Sequence, residues 1–263
     1  MLKVPKKKKD TTNKEKPKSL GNLLKNKETT TEPIKDNNTP KYDSLRDIMD
    51  YKRPFTMFFS GVEYKTYLDI VHEEGVKAFL MSYEYAKTKG ASHMKEYAQM
   101  GLKIFIDSGA FTFMQDPKYS EYTIEQWEKH IESYLKWARK HKDVIFAIAN
   151  MDLEMIVGEE QVRIWNEKYF EPFMLETGIP VCFIWHTISE EIGWEYYCKR
   201  YPYVGFSWVS DTDGVDLDFN YGLRMLKVAE KYNTLVHGMG MTRTSILPKL
   251  PFYTVDSTSW KAG

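Results

Sequence analysis

A chain of 263 residues, 42% apolar and 15% aromatic, can bury the core of one large domain or two small ones, so a wholly disordered or fibrous protein is excluded. Two cysteines, Cys182 and Cys198, are too few for a disulfide framework or a thiolate zinc site and fit a reducing cytoplasm. The formal net charge of zero hides an uneven split: residues 1–41 hold twelve Lys and five acids, and the rest of the chain is acidic by the same margin. No stretch has the ~18 apolar residues of a membrane span, and the first ten residues lack the apolar core of a signal peptide, so neither secretion nor membrane insertion is expected.

All 39 aromatic residues lie after residue 41. A Lys-, Thr-, Asn- and Pro-rich segment without rings cannot offset its ordering entropy by burial, so 1–41 is expected to be a disordered basic tail. It reads either as a tether to nucleic-acid phosphates or as a solvated leader. Residues 42–263 then form the folded domain.

From Pro54 onward, short apolar runs alternate with longer amphipathic stretches, the pattern of parallel βα units. Eight runs are expected as strands: Pro54–Ser60, Lys77–Ser82, Leu102–Asp107, Val144–Asn150, Ile179–Trp185, Tyr203–Trp208, Thr234–Gly238 and Phe252–Asp256. Their near-continuous hydrophobicity is what strands covered on both faces require. Helices are expected between them, over Tyr122–His141 (with a capping box at Thr123 and Gln126), Glu159–Glu176, Ser189–Arg200 and Gly222–Tyr232.

This order predicts an α/β fold, a (β/α)8 TIM-type barrel, with an open doubly wound sheet as the rival. Polar residues favour the barrel. Asp107, Asp152, His186, Ser207, His237 and Asp256 each fall at or just past the end of a different run, and closure points them all at one mouth. Only seven residues follow Asp256, so an eighth helix is missing or replaced. Either Tyr42–Lys52 covers the gap, or a partner or a second copy of the chain does, or the gene product is incomplete.

Asp107-Ser108-Gly109-Ala110-Phe111 closes the third run with an acid and a small-residue turn, which reads as a mouth carboxylate or as a cap for the next segment. Asp256-Ser257-Thr258-Ser259-Trp260 closes the eighth. Two carboxylates at one mouth could divide nucleophile and acid/base duties in displacement at a sugar C1′ carbon.

These segments resemble the tRNA-guanine transglycosylase (queuine tRNA-ribosyltransferase) superfamily, more closely its phage and bacterial branch that inserts 7-deazaguanine bases into DNA. Asp107-Ser108-Gly109-Ala110-Phe111 is similar to the family's Asp-Ser-Gly-Gly-Phe, and Val255-Asp256-Ser257-Thr258-Ser259-Trp260 carries a matching Asp. Asn150-Met151-Asp152 sits where the family keeps a base-recognising Asp, and His237-Gly238-Met239-Gly240 resembles its Gly-rich seventh-strand end.

The resemblance implies a glycosyltransferase that exchanges guanine for a 7-deazaguanine base through a covalent glycosyl-aspartate, without cofactor or metal. Asp256 would be the nucleophile and Asp107 the general acid/base. Asp152 would accept hydrogen bonds from the base, with Ser108, Gly109, Phe111, His186, Gly205, Phe206, Gly238 and Met239 around it. Gly205 is open to a second reading, tight strand packing.

Trp185-His186 stands where the tRNA enzymes tend to have Gln-Gly, so His186 reads as a base or phosphate contact or as a neutral core histidine. The tRNA enzymes' Cys-x-Cys-x-x-Cys zinc module is absent from the sequence, which favours DNA over tRNA. A paired base must be flipped to reach such a pocket. Phe111, Phe113, Phe206, Trp208 and Trp260 are the rings expected near it, and Arg243, Lys249 and Lys261 are candidates for phosphate contact. Two other readings remain: a barrel glycosidase or N-glycosidase with water as acceptor, and a noncatalytic DNA-binding subunit.

Overall fold

The computed structural model describes residues 55–62, 65–187, 191–207, 219–241 and 247–257. The expected tail over 1–41, the Tyr42–Lys52 segment, Trp208, Arg243, Trp260, Lys261 and the question of a helix after the last strand lie outside these residues.

Eight strands are present: β1 (Thr56–Ser60), β2 (Ala78–Ser82), β3 (Lys103–Asp107), β4 (Ala147–Ala149), β5 (Val181–His186), β6 (Tyr203–Ser207), β7 (Leu235–Gly238) and β8 (Thr254–Ser257). Each pairs in parallel with the next, and β8 pairs with β1 through Thr56 with Thr254 to Phe59 with Ser257, closing the barrel. That pairing rules out the open sheet.

Each strand buries both faces. Phe58, Leu80, Phe105, Ala147, Ala149, Cys182, Ile184, Tyr203 and Leu235 fill the inside of the barrel. Their neighbours in sequence, such as Phe79, Ile104, Ile106, Phe183, Trp185, Val204 and Phe206, pack outward against the helices. This two-sided burial is why the strands read as apolar runs rather than as alternating patterns.

The β4 ladder, Ala147–Ala149, is shorter than the run expected over Val144–Asn150, and the side chain of Asn150 extends its attachment to β5 beside a backbone bond from Asn150 N to Cys182 O at 3.1 Å. Its Oδ1 accepts from Ile184 N at 2.8 Å, and its Nδ2 donates to Asn166 Oδ1 at 2.9 Å.

Around the barrel lie α1 (Lys65–Glu73), α2 (Ala91–Gln99), α3 (Ala110–Gln115), α4 (Ile124–Lys140), α5 (Glu159–Trp165), α6 (Glu171–Thr177), α7 (Glu191–Arg200) and α8 (Phe219–Lys231). Helix α4 opens on the expected capping box, with Gln126 N donating to Thr123 Oγ1 and Thr123 N to Gln126 Oε1. The single helix expected over Glu159–Glu176 is instead interrupted by a π turn at Asn166–Phe170. Pro172 follows at once in α6; it has no N–H to give the preceding turn and its ring crowds the carbonyl four residues back, so the ladder widens there. Among the described residues no helix is long and apolar enough to cross a membrane.

Candidate active site

Side chains alternate along a strand, so the inward positions above the apolar filling can be counted off directly. They are Ser60 after Phe58, Ser82 after Leu80, Asp107 after Phe105, His186 after Ile184, Ser207 after Tyr203 through Gly205, and His237 after Leu235; on β8 the inward pair is Thr254 and Asp256. All except Thr254, the first residue of β8, lie toward the C-terminal ends of the strands. The barrel therefore has an apolar floor and a polar rim.

Asp256 is held by three donors. His237 Nε2 lies 3.2 Å and Gly240 N 2.6 Å from Oδ1, while Ser60 Oγ donates to Oδ2 at 3.0 Å. Gly240 has φ +60°, a left-handed conformation that a side chain would strain, and this turn aims its N–H at the carboxylate. Burial by itself would raise the Asp256 pKa, but the hydrogen bond with His237 first, then Gly240 N–H and Ser60, hold the carboxyl below its ordinary range.

Asp107 has the opposite environment. Its Oδ2 accepts from Gly109 N at 2.9 Å, in a turn where Gly109 has φ +87° and a Cβ would meet Glu84 Cγ at 3.1 Å and Ser82 Oγ at 3.2 Å. Burial, followed by the Asp152 charge, pushes the Asp107 carboxyl up to about 7; the Gly109 N–H opposes this and the Asp256 charge adds to it. Asp107 thus caps its turn and also senses both other acids of the mouth.

Asp152 is buried just past β4 and accepts from Ser108 Oγ at 3.1 Å. His186 Nε2 lies 3.3 Å from Asp152 Oδ2 and 3.5 Å from Glu154 Oε2, ion-pair distances without hydrogen-bond alignment. Burial would lower the His186 pKa, but Glu154 first and then Asp152 outweigh it and push it up to about 9. His186 thus lies between two acidic side chains that favour its protonated form, which speaks against the neutral core histidine weighed from the sequence. Burial also pushes Glu154 up to about 7, with His186 opposing and Asp152 reinforcing. Glu154 Oε2 and His186 Nδ1 are buried without a hydrogen-bond partner.

The other expected residues divide. Met239 packs against the inner cluster and Ser108 is fully buried beside Asp152, so both belong to the mouth. Phe111 stands 70% exposed on α3, free to meet a large ligand, and Lys249 is exposed on the turn Leu247–Lys249.

Phe206 is corrected: its ring faces the helices, stacked with Trp185 at 6.0 Å and edge-on to Trp194 at 5.5 Å, so it is no stacking platform at the mouth. Phe113 is likewise packed away, against Tyr119, Trp127 and His130.

Gly205 and Gly238 answer to packing. A Cβ at Gly205 would lie 2.9 Å from Ile184 Cγ1, and one at Gly238 2.7 Å from Met241 Cγ and 3.1 Å from Phe252 Cε1.

Glu154, Ser60 and the Gly240 N–H were not singled out from the sequence. Only the spacing Asp152-Leu153-Glu154 hinted at the first. Among the described residues no group of three or more His, Cys, Asp or Glu is arranged to hold a metal ion.

The chain matches no protein-family model and no curated protein. Solved structures similar to it include macrophomate synthase (9% identity, 82% of this chain and 83% of that one, TM-score 0.51). A protein described as QR15, an aldolase, is similar at 12% identity, over 81% of this chain and 92% of that one, with a TM-score of 0.51. A GH10 endoxylanase retrieved from a sugarcane soil metagenome is similar at 11% identity, over 81% and 87%, with a TM-score of 0.50. At such identities the likeness shows the fold alone.

Proposed function

We propose that this barrel is a glycosyltransferase acting on nucleic acid, most plainly DNA, that exchanges guanine for a 7-deazaguanine base. The observation that carries the reading is the split between two acids of one mouth: His237, Gly240 and Ser60 hold Asp256 below the ordinary carboxylate range, while desolvation and Asp152 push Asp107 up to about 7. A pair of titratable groups pushed apart in this way is what a nucleophile and a general acid require.

In this reading an Asp256 oxygen attacks C1′ and the base departs with its bonding electrons, taking the proton from Asp107. The incoming 7-deazaguanine then displaces Asp256 and returns a proton to Asp107. Asp152 and His186 present acceptors and a donor to the heterocycle, and Phe111 offers its exposed ring to the strand. Lys249, Arg243, Lys261 and the basic tail are the proposed phosphate contacts. One feature supports DNA over tRNA: the sequence lacks the cysteine module of the tRNA enzymes.

The test is nucleoside mass spectrometry of DNA from cells that express the protein and are supplied with a 7-deazaguanine base, alongside Asp256→Ala. Incorporation by the wild type and none by Asp256→Ala is expected, with a covalent adduct trapped only in the wild type. Release of guanine without incorporation would instead indicate hydrolysis with water as acceptor. Full turnover by Asp256→Ala, or DNA binding with no chemistry at all, would overturn the proposal.

A further inference from the structure

Asp256 does not present its two oxygens equally. Among the described residues, Oδ1 receives both His237 Nε2 and Gly240 N, whereas Oδ2 receives the Ser60 hydroxyl alone. Behind His237, itself fully buried, the contacts continue in a line: His237 Nδ1 lies 2.7 Å from Thr254 Oγ1, which lies 2.6 Å from Tyr203 Oη. Thr254 has one proton, so when Tyr203 donates to it the Thr254 proton goes to His237 Nδ1. The ring then carries its N–H at Nε2, facing Asp256. With Tyr203 as the donor, three buried side chains from β6, β7 and β8 set the direction of one hydrogen bond at a carboxylate from inside the barrel.

Resting on the base-exchange reading, we propose that Tyr203, Thr254 and His237 are positioning residues that anchor Oδ1 of Asp256 and leave Oδ2 as the attacking oxygen. The Oδ2 lone pair forms the bond to C1′ as the C1′–N bond breaks; that electron pair goes to the departing base, which takes its proton from Asp107. In the return half the incoming base forms the new C1′–N bond, the C1′–Oδ2 pair returns to the carboxylate, and the base's proton goes to Asp107. Oδ1 stays bonded to His237 and Gly240 throughout, so the carboxylate does not rotate between halves, and the anchoring bonds tighten as charge returns to it.

The titratable groups around Asp256 are His237 from β7, Asp107 from β3, Cys182 from β5 and Tyr203 from β6. His237 is the group among them whose contacts lower the Asp256 pKa.

The experiment compares His237→Leu, His237→Gln and Thr254→Val in the full-length protein. Its readouts are exchange kinetics against pH and the Asp256 carboxyl titration followed by carbon-13 NMR. Leu removes the donor, and kcat is expected to fall about 10- to 100-fold with KM for nucleic acid and base within about twofold. The acid limb of kcat and the Asp256 titration should both move to higher pH. Gln, which can place a donor near the Nε2 position, should restore most of kcat and of the titration. Thr254→Val leaves the carboxylate contacts in place and frees Nδ1, and should shift both readouts part of the way; it also serves as the test should His237→Leu fail to fold.

An unchanged kcat and Asp256 titration in His237→Leu, or in Thr254→Val in its place, overturns the inference. So does a loss of rate accompanied by a matching rise in KM, or a loss that Gln does not relieve. Because the NMR titration needs no turnover, a raised Asp256 pKa in a protein without exchange activity would retain the anchoring and remove the base-exchange reading. An unmoved titration in an active enzyme would do the reverse.

Discussion

Asp107→Asn should make the protein more stable at pH 8 and nearly inactive. In the folded protein the Asp107 carboxyl is pushed from its ordinary 3.8 up to about 7, chiefly by burial. Between those two values the folded state keeps a proton that the unfolded chain has released. Stability therefore falls as pH rises through this window and stays low above it. About three pKa units at ~1.4 kcal/mol each come to about 4 kcal/mol lost above pH 7, falling to about 2 kcal/mol at pH 5 and to nothing below 3.8.

Asparagine keeps an oxygen for Gly109 N–H and carries no charge, so it recovers this cost where the cost exists. At roughly 2–4 °C per kcal/mol, the variant should melt about 8–16 °C above wild type at pH 8, by about half that at pH 5, and together with it near pH 4. The assay is thermal unfolding across pH with the exchange rate measured in parallel, and the rate should fall by about two to four orders of magnitude. A melting temperature equal to wild type at pH 8, or an increment that does not change with pH, would refute the claim that burial keeps this acid protonated.

Two further outcomes are expected. Glu154→Gln removes the largest charge opposing burial at His186, so the imidazole should titrate well below its present value of about 9, read from ring proton or nitrogen-15 shifts; an unmoved titration would mean Asp152 alone holds the charge. Gly205→Val forces branched atoms into the space held by Ile184 Cγ1 and Cys182 Sγ, at 2.9 and 3.3 Å from a Cβ, and should lower stability by about 1–3 kcal/mol in chemical denaturation.

The strands were legible because each is covered on both sides, which leaves an apolar run ended by a polar residue; all eight runs became strands. The mouth acids followed from the same rule, since a residue just past an apolar run in a parallel barrel has only the rim to occupy. What escaped was the phase within a run. Gly205 and Phe206 are neighbours, but only the first faces inward, and the distinction appears once Tyr203 is known to point into the barrel. Glu154 escaped for another reason: an acid on the exposed side of a helical turn and one buried against a histidine look alike in a sequence. The break at Asn166–Phe170 was, by contrast, written in Pro172, which read only as a residue within a long helix.

The difference between the two acids is made by what the neighbouring strands and turns aim at them, His237 of β7 first. Asp107 and Asp256 occupy equivalent inward positions at the ends of their strands, Asp107 half-buried and Asp256 buried, but the neighbouring strands present different side chains to them. Asp107 receives the N–H of its own turn at Gly109 and faces Asp152 across the mouth. Asp256 receives an N–H from the turn after β7 at Gly240, a histidine from β7 and a hydroxyl from β1. Each hydrogen bond to a charged group contributes on the order of 1.5–3 kcal/mol, and each pKa unit corresponds to about 1.4, so two additional donors suffice to separate the acids by several units. Replacing the turn after β7 with one that cannot aim an N–H at Oδ1 would therefore raise the Asp256 pKa only part of the way toward that of Asp107, because His237 and Ser60 still hold the carboxylate; replacing His237 should raise it further.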